Sequence, residues 1–94
     1  NIWCGNKTTK YISMIEEKHS KVYKTIGKNL RKRRNELDLT QDEVAEKIPK
    51  MDRSKISDME NGKEDFVFSK FLNLCEALDL SVIEALKEEE DMGN

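Results

Sequence analysis

The fold of this chain is decided by residues 40–63, which read TQDEVAEKIPKMDRSKISDMENGK. Two short helices are predicted in this stretch, over residues 41–48 and 53–60, with a turn of four residues between them. Each helix is about two turns long, which is too short to be stable in isolation. Both helices therefore need packing against other helices, which the rest of the chain has to supply.

Residues with strong capping preferences mark the ends of both helices. Thr40 and Glu43 form a capping box, in which the hydroxyl and the carboxylate each accept a hydrogen bond from a free backbone N–H. Pro49 ends the first helix, because the residue before a proline avoids helical geometry. Asp52 is the predicted N-cap of the second helix, and Gly62 stops that helix by taking a left-handed conformation.

A helical period also covers about residues 10–36. Apolar residues recur there at three- and four-residue multiples and so share one face. The members of this face are Tyr11, Ile15, Val22, Ile26, Leu30 and Leu37. The opposite side collects five bases, which are Lys21, Lys24, Lys28, Arg31 and Lys32. The pattern fits either one long helix or two helices broken near residues 18–20.

Two further helices are predicted after Gly62. One covers about residues 67–78, where apolar residues follow the spacing of a single helix face. Its members are Phe68, Phe71, Leu72, Cys75 and Leu78. A second capping box, Ser81 with Glu84, opens a fifth helix that reaches about Glu89. No segment alternates with period two for long enough to form a strand, so the predicted fold class is all-α with five helices.

Length and composition exclude several classes of protein. A chain of 94 residues is one small domain, and no stretch approaches the roughly 18 apolar residues that a membrane-spanning helix needs. Two cysteines are too few for a disulfide scaffold or a four-ligand zinc site, and a single histidine excludes any site that needs two. We therefore expect a cytoplasmic protein without a membrane partner, a metal or a cofactor.

The net charge of −2 hides a strong asymmetry along the chain. Residues 18–34 carry eight bases and no acid, whereas residues 35–94 carry 17 acids and seven bases. A nucleic-acid-binding protein is often basic overall, and this one is not. A nearby anion responds to the field of one face, however, and residues 18–34 can supply a basic face.

The polar side of helix 53–60 carries the candidate functional residues. In helix-turn-helix geometry, the second helix of the pair presents its first residues to the major groove of DNA. The polar residues in that position are Arg53, Ser54, Lys55, Ser57 and Asp58. A helix that is polar on one side is ordinarily just solvated, so this pattern alone leaves both interpretations open.

The wider pattern resembles the XRE-type family of helix-turn-helix domains, the phage-repressor and Cro type. The matching segments are IGKNLR (26–31), LTQDEVAEKI (39–48), RSKISDMENGK (53–63) and the stretch 72–86 with ALDLS (77–81). The resemblance implies a five-helix, phage-repressor-like bundle with an N-terminal helical extension. It divides the chain into the extension (1–22), the DNA-binding domain (23–88) and an acidic tail (89–94).

The resemblance also implies residue roles. The family's base readers lie where this chain has Arg53, Ser54 and Asp58, with Lys55 and Ser57 nearby. Positions that contact the DNA backbone are matched by Gln41, Asn61 and Lys63. An internal ion pair of the family is matched by Arg34 and Glu60. The helical-wheel position of Arg34, at the edge of the apolar face, independently supports this structural role.

Two of these residues have definite base chemistry. Arg53 can donate two hydrogen bonds to guanine O6 and N7. Asp58 can accept one from cytosine N4, but nearby phosphates would repel it, and an ion pair with Arg53 or Lys55 is an equally good interpretation.

Three features depart from the family pattern. The turn that contains Pro49 has one residue more than is typical, so the resemblance does not define the tilt between the two helices. Asp38 and Asp79 stand where glycine commonly ends a helix, and aspartate tolerates the left-handed region better than most residues.

Two functional hypotheses follow. The first is a sequence-specific regulator of transcription that binds double-stranded DNA, most simply a repressor acting as a homodimer on a palindrome. The alternative is a protein-interaction module on the same fold, such as an antitoxin-like or adaptor domain, which the acidic overall balance favours. An enzyme is poorly supported, because the sequence shows no nucleophile–base pair, metal-ligand cluster or glycine-rich phosphate loop.

Overall fold

The computed structural model describes residues 5–63 and 66–88, with side chains described from residue 14 onward. Within this part of the chain the helices are α1 (Gly5–Glu36), α2 (Gln41–Glu46), α3 (Arg53–Glu60), α4 (Phe68–Ala77) and α5 (Val82–Leu86). The same residues contain no strand, which confirms the all-α prediction. The range predicted for α3 is reproduced, and α1 is one unbroken helix. The acidic tail at 89–94 lies outside the described residues.

The predicted N-caps are present. The hydroxyl of Thr40 accepts from the backbone N–H of Glu43 at 3.1 Å, and the carboxylate of Glu43 accepts from the N–H of Thr40 at 2.8 Å. Asp52 Oδ1 accepts from the backbone N–H of Lys55 at 2.9 Å. Ser81 Oγ accepts from a backbone N–H at the start of α5 in the same way. These bonds satisfy helix N–H groups that would otherwise lack partners.

Helices α1, α3 and α4 end in the same hydrogen-bonded turn. Asp38, Gly62 and Asp79 lie in the left-handed region, with φ of 60°, 79° and 54°. In each turn the next residue donates its N–H to a carbonyl five residues back, as Leu39 does to Arg34 at 3.1 Å. This is the Schellman arrangement, and after α1 and α4 it brings Leu39 and Leu80 against the core. Aspartate therefore replaces glycine at two of these three ends.

The core lies between the C-terminal half of α1 and the four shorter helices. Its largest fully buried side chains are Phe71, Leu30, Ile56, Leu74, Leu78 and Val44. Cys75 is also buried there, and burial raises the pKa of its thiol to about 11. The thiol is therefore protonated at neutral pH and serves as an apolar packing group. None of the described helices is both long and apolar enough to span a bilayer.

The apolar face predicted for α1 and the residue after it is only partly covered by other elements. The helical spacing places Ile15, Val22 and Leu37 on the inward face, but their side chains are 46%, 49% and 37% exposed. The prediction is wrong for these residues because periodicity identifies a face without showing whether another element covers it. Core packing reaches α1 fully only from Ile26 onward. The side chain of Tyr11 lies outside the described residues.

A close approach of backbones holds α1 against the end of α3. A Cβ atom built on Gly27 would lie 2.5 Å from the carbonyl oxygens of both Met59 and Glu60. Glycine in a helix interior is less favourable than alanine by about 1 kcal/mol, so only this contact explains it. The absence of a side chain at Gly27 thus sets how closely α3 packs on α1.

We expect Gly27→Ala to lower the free energy of unfolding by about 1–3 kcal/mol, because the added methyl group overpacks this contact. Urea denaturation measures the change. Asn35→Ala, at an exposed position of the same helix, is the matched control and should leave stability equal or slightly higher. A gain in stability for Gly27→Ala, which is the ordinary effect of this substitution in a helix, would contradict the proposed constraint.

Candidate nucleic-acid interface

Helix α3 presents its polar side to solvent and its apolar side to the core. The exposed residues are Arg53, Ser54, Lys55 and Asp58, while Ser57 is half-buried. On the opposite side, Ile56 and Met59 are buried in the core. The polar residues predicted to read bases therefore lie together on one accessible surface, on a helix whose back is fixed by packing.

The buried carboxylate of Glu60 joins three helices at the base of this surface. Only 1% of its side chain is exposed. Arg34 of α1 donates to it through Nε at 2.6 Å and through Nη2 at 3.0 Å. Gln41 of α2 donates through Nε2 at 3.0 Å, and Arg31 of α1 donates through Nε at 3.4 Å. The last residue of α3 is thereby fixed relative to both α1 and α2.

The ionisation of Glu60 reflects two opposed effects. Burial disfavours the charged form and so raises its pKa, while hydrogen bonds from Arg34, Gln41 and Arg31 and the charge of Arg34 lower it. The hydrogen bonds and the opposite charge outweigh burial, so the pKa of Glu60 lies below its ordinary value. The same hydrogen bond raises the pKa of Arg34. Both groups are therefore charged at neutral pH.

Gln41 connects this ion pair to the start of α3. A carboxylate can only accept hydrogen bonds, so the amide nitrogen of Gln41 faces Glu60 and its oxygen is left for another donor. Arg53 supplies that donor, with its Nε 3.5 Å from Gln41 Oε1. The residue that the resemblance assigns to a phosphate thus also holds the first side chain of α3.

The turn after α3 carries a second polar cluster. Asn61 accepts at Oδ1 from Arg31 Nη2 at 3.0 Å, and its amide donates to Ser57 Oγ at 3.4 Å. Asp58 pairs with Lys63, whose Nζ lies 3.4 Å from Asp58 Oδ1. Of the two interpretations of Asp58 from the sequence, the ion pair has a different partner, Lys63 in place of Arg53 or Lys55. The chain reversal at Gly62 brings Lys63 back beside the helix, which spacing along α3 alone does not reveal.

The interhelical contacts that the sequence does not indicate include those of Arg31 and Asn29. The helical spacing places Arg31 among the bases opposite the core, yet it also contacts Glu60 and Asn61. Asn29 donates its side-chain amide to the carbonyls of Ala85 and Lys87 at 2.8 Å, which satisfies the C-terminal end of α5. No local signal marks either contact, because both partners lie far away in the sequence.

Comparison with known proteins agrees with this geometry. A family model described as a helix-turn-helix domain matches residues 25–88. The chain is also similar to the restriction-modification controller protein C.AhdI from Aeromonas hydrophila, known from a high-resolution crystal structure. The two chains are 28% identical with a TM-score of 0.63, and the similarity covers 71% of this chain and 96% of the controller protein. No curated protein matches the chain.

We expect Glu60→Gln to lower the free energy of unfolding at neutral pH by about 3–5 kcal/mol, because the charge of Arg34 loses its buried partner. The pKa of Glu60 is lower in the folded state than in the unfolded state. The stabilisation that its charge provides is therefore complete above the unfolded pKa and disappears as pH falls through the folded pKa. Urea unfolding at neutral and at acid pH should therefore show that the free energies of unfolding of Glu60→Gln and of the unaltered chain differ less in acid than at neutral pH.

Glu46→Gln removes one charge from an exposed position of α2 and is the matched control. It should change stability by no more than about 0.5 kcal/mol at any pH. If Glu60→Gln unfolded like this control at neutral pH, the buried ion pair would not hold the helices together.

Proposed function

Because this chain belongs to the helix-turn-helix domain family, whose model matches residues 25–88, we propose that it regulates transcription by binding a specific sequence of double-stranded DNA. Helix α3 enters the major groove, and the protein acts as a dimeric repressor. The exposed polar side of α3 carries this proposal. A helix that reads bases needs an accessible front and a back that packing holds in one orientation, and α3 combines both.

Each polar residue of the surface has a role in this proposal. Arg53 donates to guanine O6 and N7 from the N-terminal end of α3, where a recognition helix meets the bases. The neighbouring base-reading positions are Ser54, Lys55, Ser57 and Asp58. Asp58 keeps acceptor capacity for cytosine N4 beside its ion pair with Lys63. The DNA backbone is contacted by Gln41, Asn61 and Lys63.

The dimer rests on the symmetry of DNA sites and on apolar surface at α5. Two copies on a palindrome would place their recognition helices about 34 Å apart, one turn of the duplex. Ile83 and Leu86 of α5 are 79% and 45% exposed, which is costly for a monomer in water. Their burial against a second copy would bring two α3 helices into one assembly.

Similarity to a controller protein favours the regulator over the protein-interaction module. That neighbour is described as a controller of restriction-modification, and the similarity extends over nearly its whole length. The acidic overall charge favours the interaction module, but the charge is not uniform, since residues 18–34 are strongly basic. Control of gene expression is therefore the function that we propose for this chain.

Selection from a pool of random duplexes, followed by gel-shift titration, tests the proposal. We expect an inverted repeat to be enriched and to bind far more tightly than its scrambled version. Equal affinity for the two would contradict sequence-specific regulation. Retention of no duplex even at low salt would favour the protein-interaction module.

Arg53→Ala should relax the preference at one base pair of each half-site, a loss of about 1–3 kcal/mol of discrimination. Lys63→Gln should instead weaken binding to all sequences alike, because a phosphate contact carries no sequence information. Lys87→Gln, at an exposed position just after α5, is the control and should change neither the base preference nor the overall affinity for DNA. An unchanged base preference in Arg53→Ala would remove this residue from the proposed contacts.

A further inference from the structure

Helix α1 carries a basic face that continues the surface at the end of α3. Its residues are Lys21, Lys24, Lys28 and Arg31, and we call them the α1 basic face. Spacings of three and four residues place all four on one side of the helix, and all four are exposed. Glu17 occupies the same side one turn before Lys21, so the α1 basic face ends there.

Two contacts join the α1 basic face to the turn after α3. Arg31 Nη2 donates to Asn61 Oδ1 at 3.0 Å. Two turns earlier along the face, Lys24 packs against Gly62, since a Cβ atom built on that glycine would lie 2.9 Å from Lys24 Cγ. The face is therefore continuous with Asn61 and Lys63, which we have assigned to the DNA backbone.

The face also extends past the matched domain. The helix-turn-helix model begins at residue 25, and Lys21 and Lys24 lie before it. From Lys21 to Arg31 the face is about 15 Å long at 1.5 Å per residue. Duplex DNA carries one phosphate charge per about 1.7 Å of its axis, so a face of this length beside it passes several phosphates.

The charge distribution favours DNA as the partner of the α1 basic face. The surface around α3 is close to neutral, because Arg53, Lys55 and Lys63 are offset by Asp52 and Asp58. Non-specific attraction to DNA depends on cations near phosphates, and residues 18–34 hold eight of the 17 bases of the chain. Four of these eight bases form the α1 basic face, next to the turn that follows α3, whereas Arg33 and Arg34 pair with Glu36 and Glu60.

From this arrangement we propose that the α1 basic face binds the phosphate backbone of DNA beside the site read by α3, and so supplies much of the salt-sensitive affinity. The proposal rests on the proposed function, because it needs α3 on a duplex. It adds a contact surface that begins outside the matched domain. Its contribution is independent of base sequence.

A pair of charge-matched variants tests the position of this surface. Glu16 and Glu17 are adjacent and exposed, but only Glu17 lies in line with the α1 basic face. Glu17→Lys should raise affinity for a mixed-sequence duplex and steepen the plot of log affinity against log salt by about 0.9 per added phosphate contact. Glu16→Lys makes the same change of charge on another side of the helix and should have a much smaller effect. Equal effects of the two variants would overturn the proposal.

Neutralisation gives the opposite test. Lys21→Gln with Lys24→Gln should make the salt plot shallower by about 1.8 in total, without changing the preferred base sequence. The control is Lys47→Gln with Lys87→Gln, which removes the same charge from exposed positions after α2 and α5. A slope no shallower than that of the control would refute the inference. Glutamine retains the Cβ and Cγ atoms of lysine, and circular dichroism checks that both variants keep the helical content.

The same titrations separate this inference from the proposed function. If the unaltered chain binds no duplex at low salt, the regulator proposal fails, and with it the role of α1. If the chain binds its selected sequence but both tests on α1 give the results of their controls, only the role of the α1 basic face is refuted.

Discussion

The buried carboxylate of Glu60 is the constraint on which the placement of α3 against α1 and α2 depends. A buried charge is tolerated only when it has close hydrogen-bond or ion-pair partners. Here the partners lie on two other helices, and they are Arg31 and Arg34 of α1 and Gln41 of α2. Such a pair contributes less to net stability than its short distances imply, since both charges lose their hydration. Its geometric effect is larger, because α3 cannot rotate or slide without leaving a charge unpaired.

This constraint complements the apolar packing behind α3. Packing holds the back of the helix through Ile56 and Met59, while the Glu60 ion pair holds its end. Gln41 extends the same set of bonds to Arg53, so the first and last residues of α3 are linked through one side chain of α2. Two helices that are each too short to be stable alone thus form one rigid unit.

The features that the sequence predicts correctly are those that depend on neighbouring residues. The N-caps at Thr40, Asp52 and Ser81 and the left-handed ends at Asp38 and Asp79 depend on residues within one helical turn, and all are present. The extra residue in the turn near Pro49 did not disrupt the fold, because Lys50 takes a left-handed conformation with φ of 59°. The predictions fail where a contact depends on the path of the chain. Lys63 is only five residues after Asp58, yet the two pair because the chain reverses after α3. Arg31 and Asn61, which also meet, are 30 residues apart.

The sequence by itself determined that this chain is helical, where α1, α3 and α4 end to within about one residue, and which side of α3 is polar. These properties follow from the capping and periodicity of neighbouring residues. Only the tertiary structure decided which faces are covered and which charges meet. Val22 and Ile26 share the predicted apolar face of α1, yet only Ile26 of the two is buried. The reason is that the core covers α1 fully only from Ile26 onward. Likewise, α1 and α3 must come into contact before Arg31 and Asn61 can bond, since contacts between distant residues exist only once packing has placed their helices side by side.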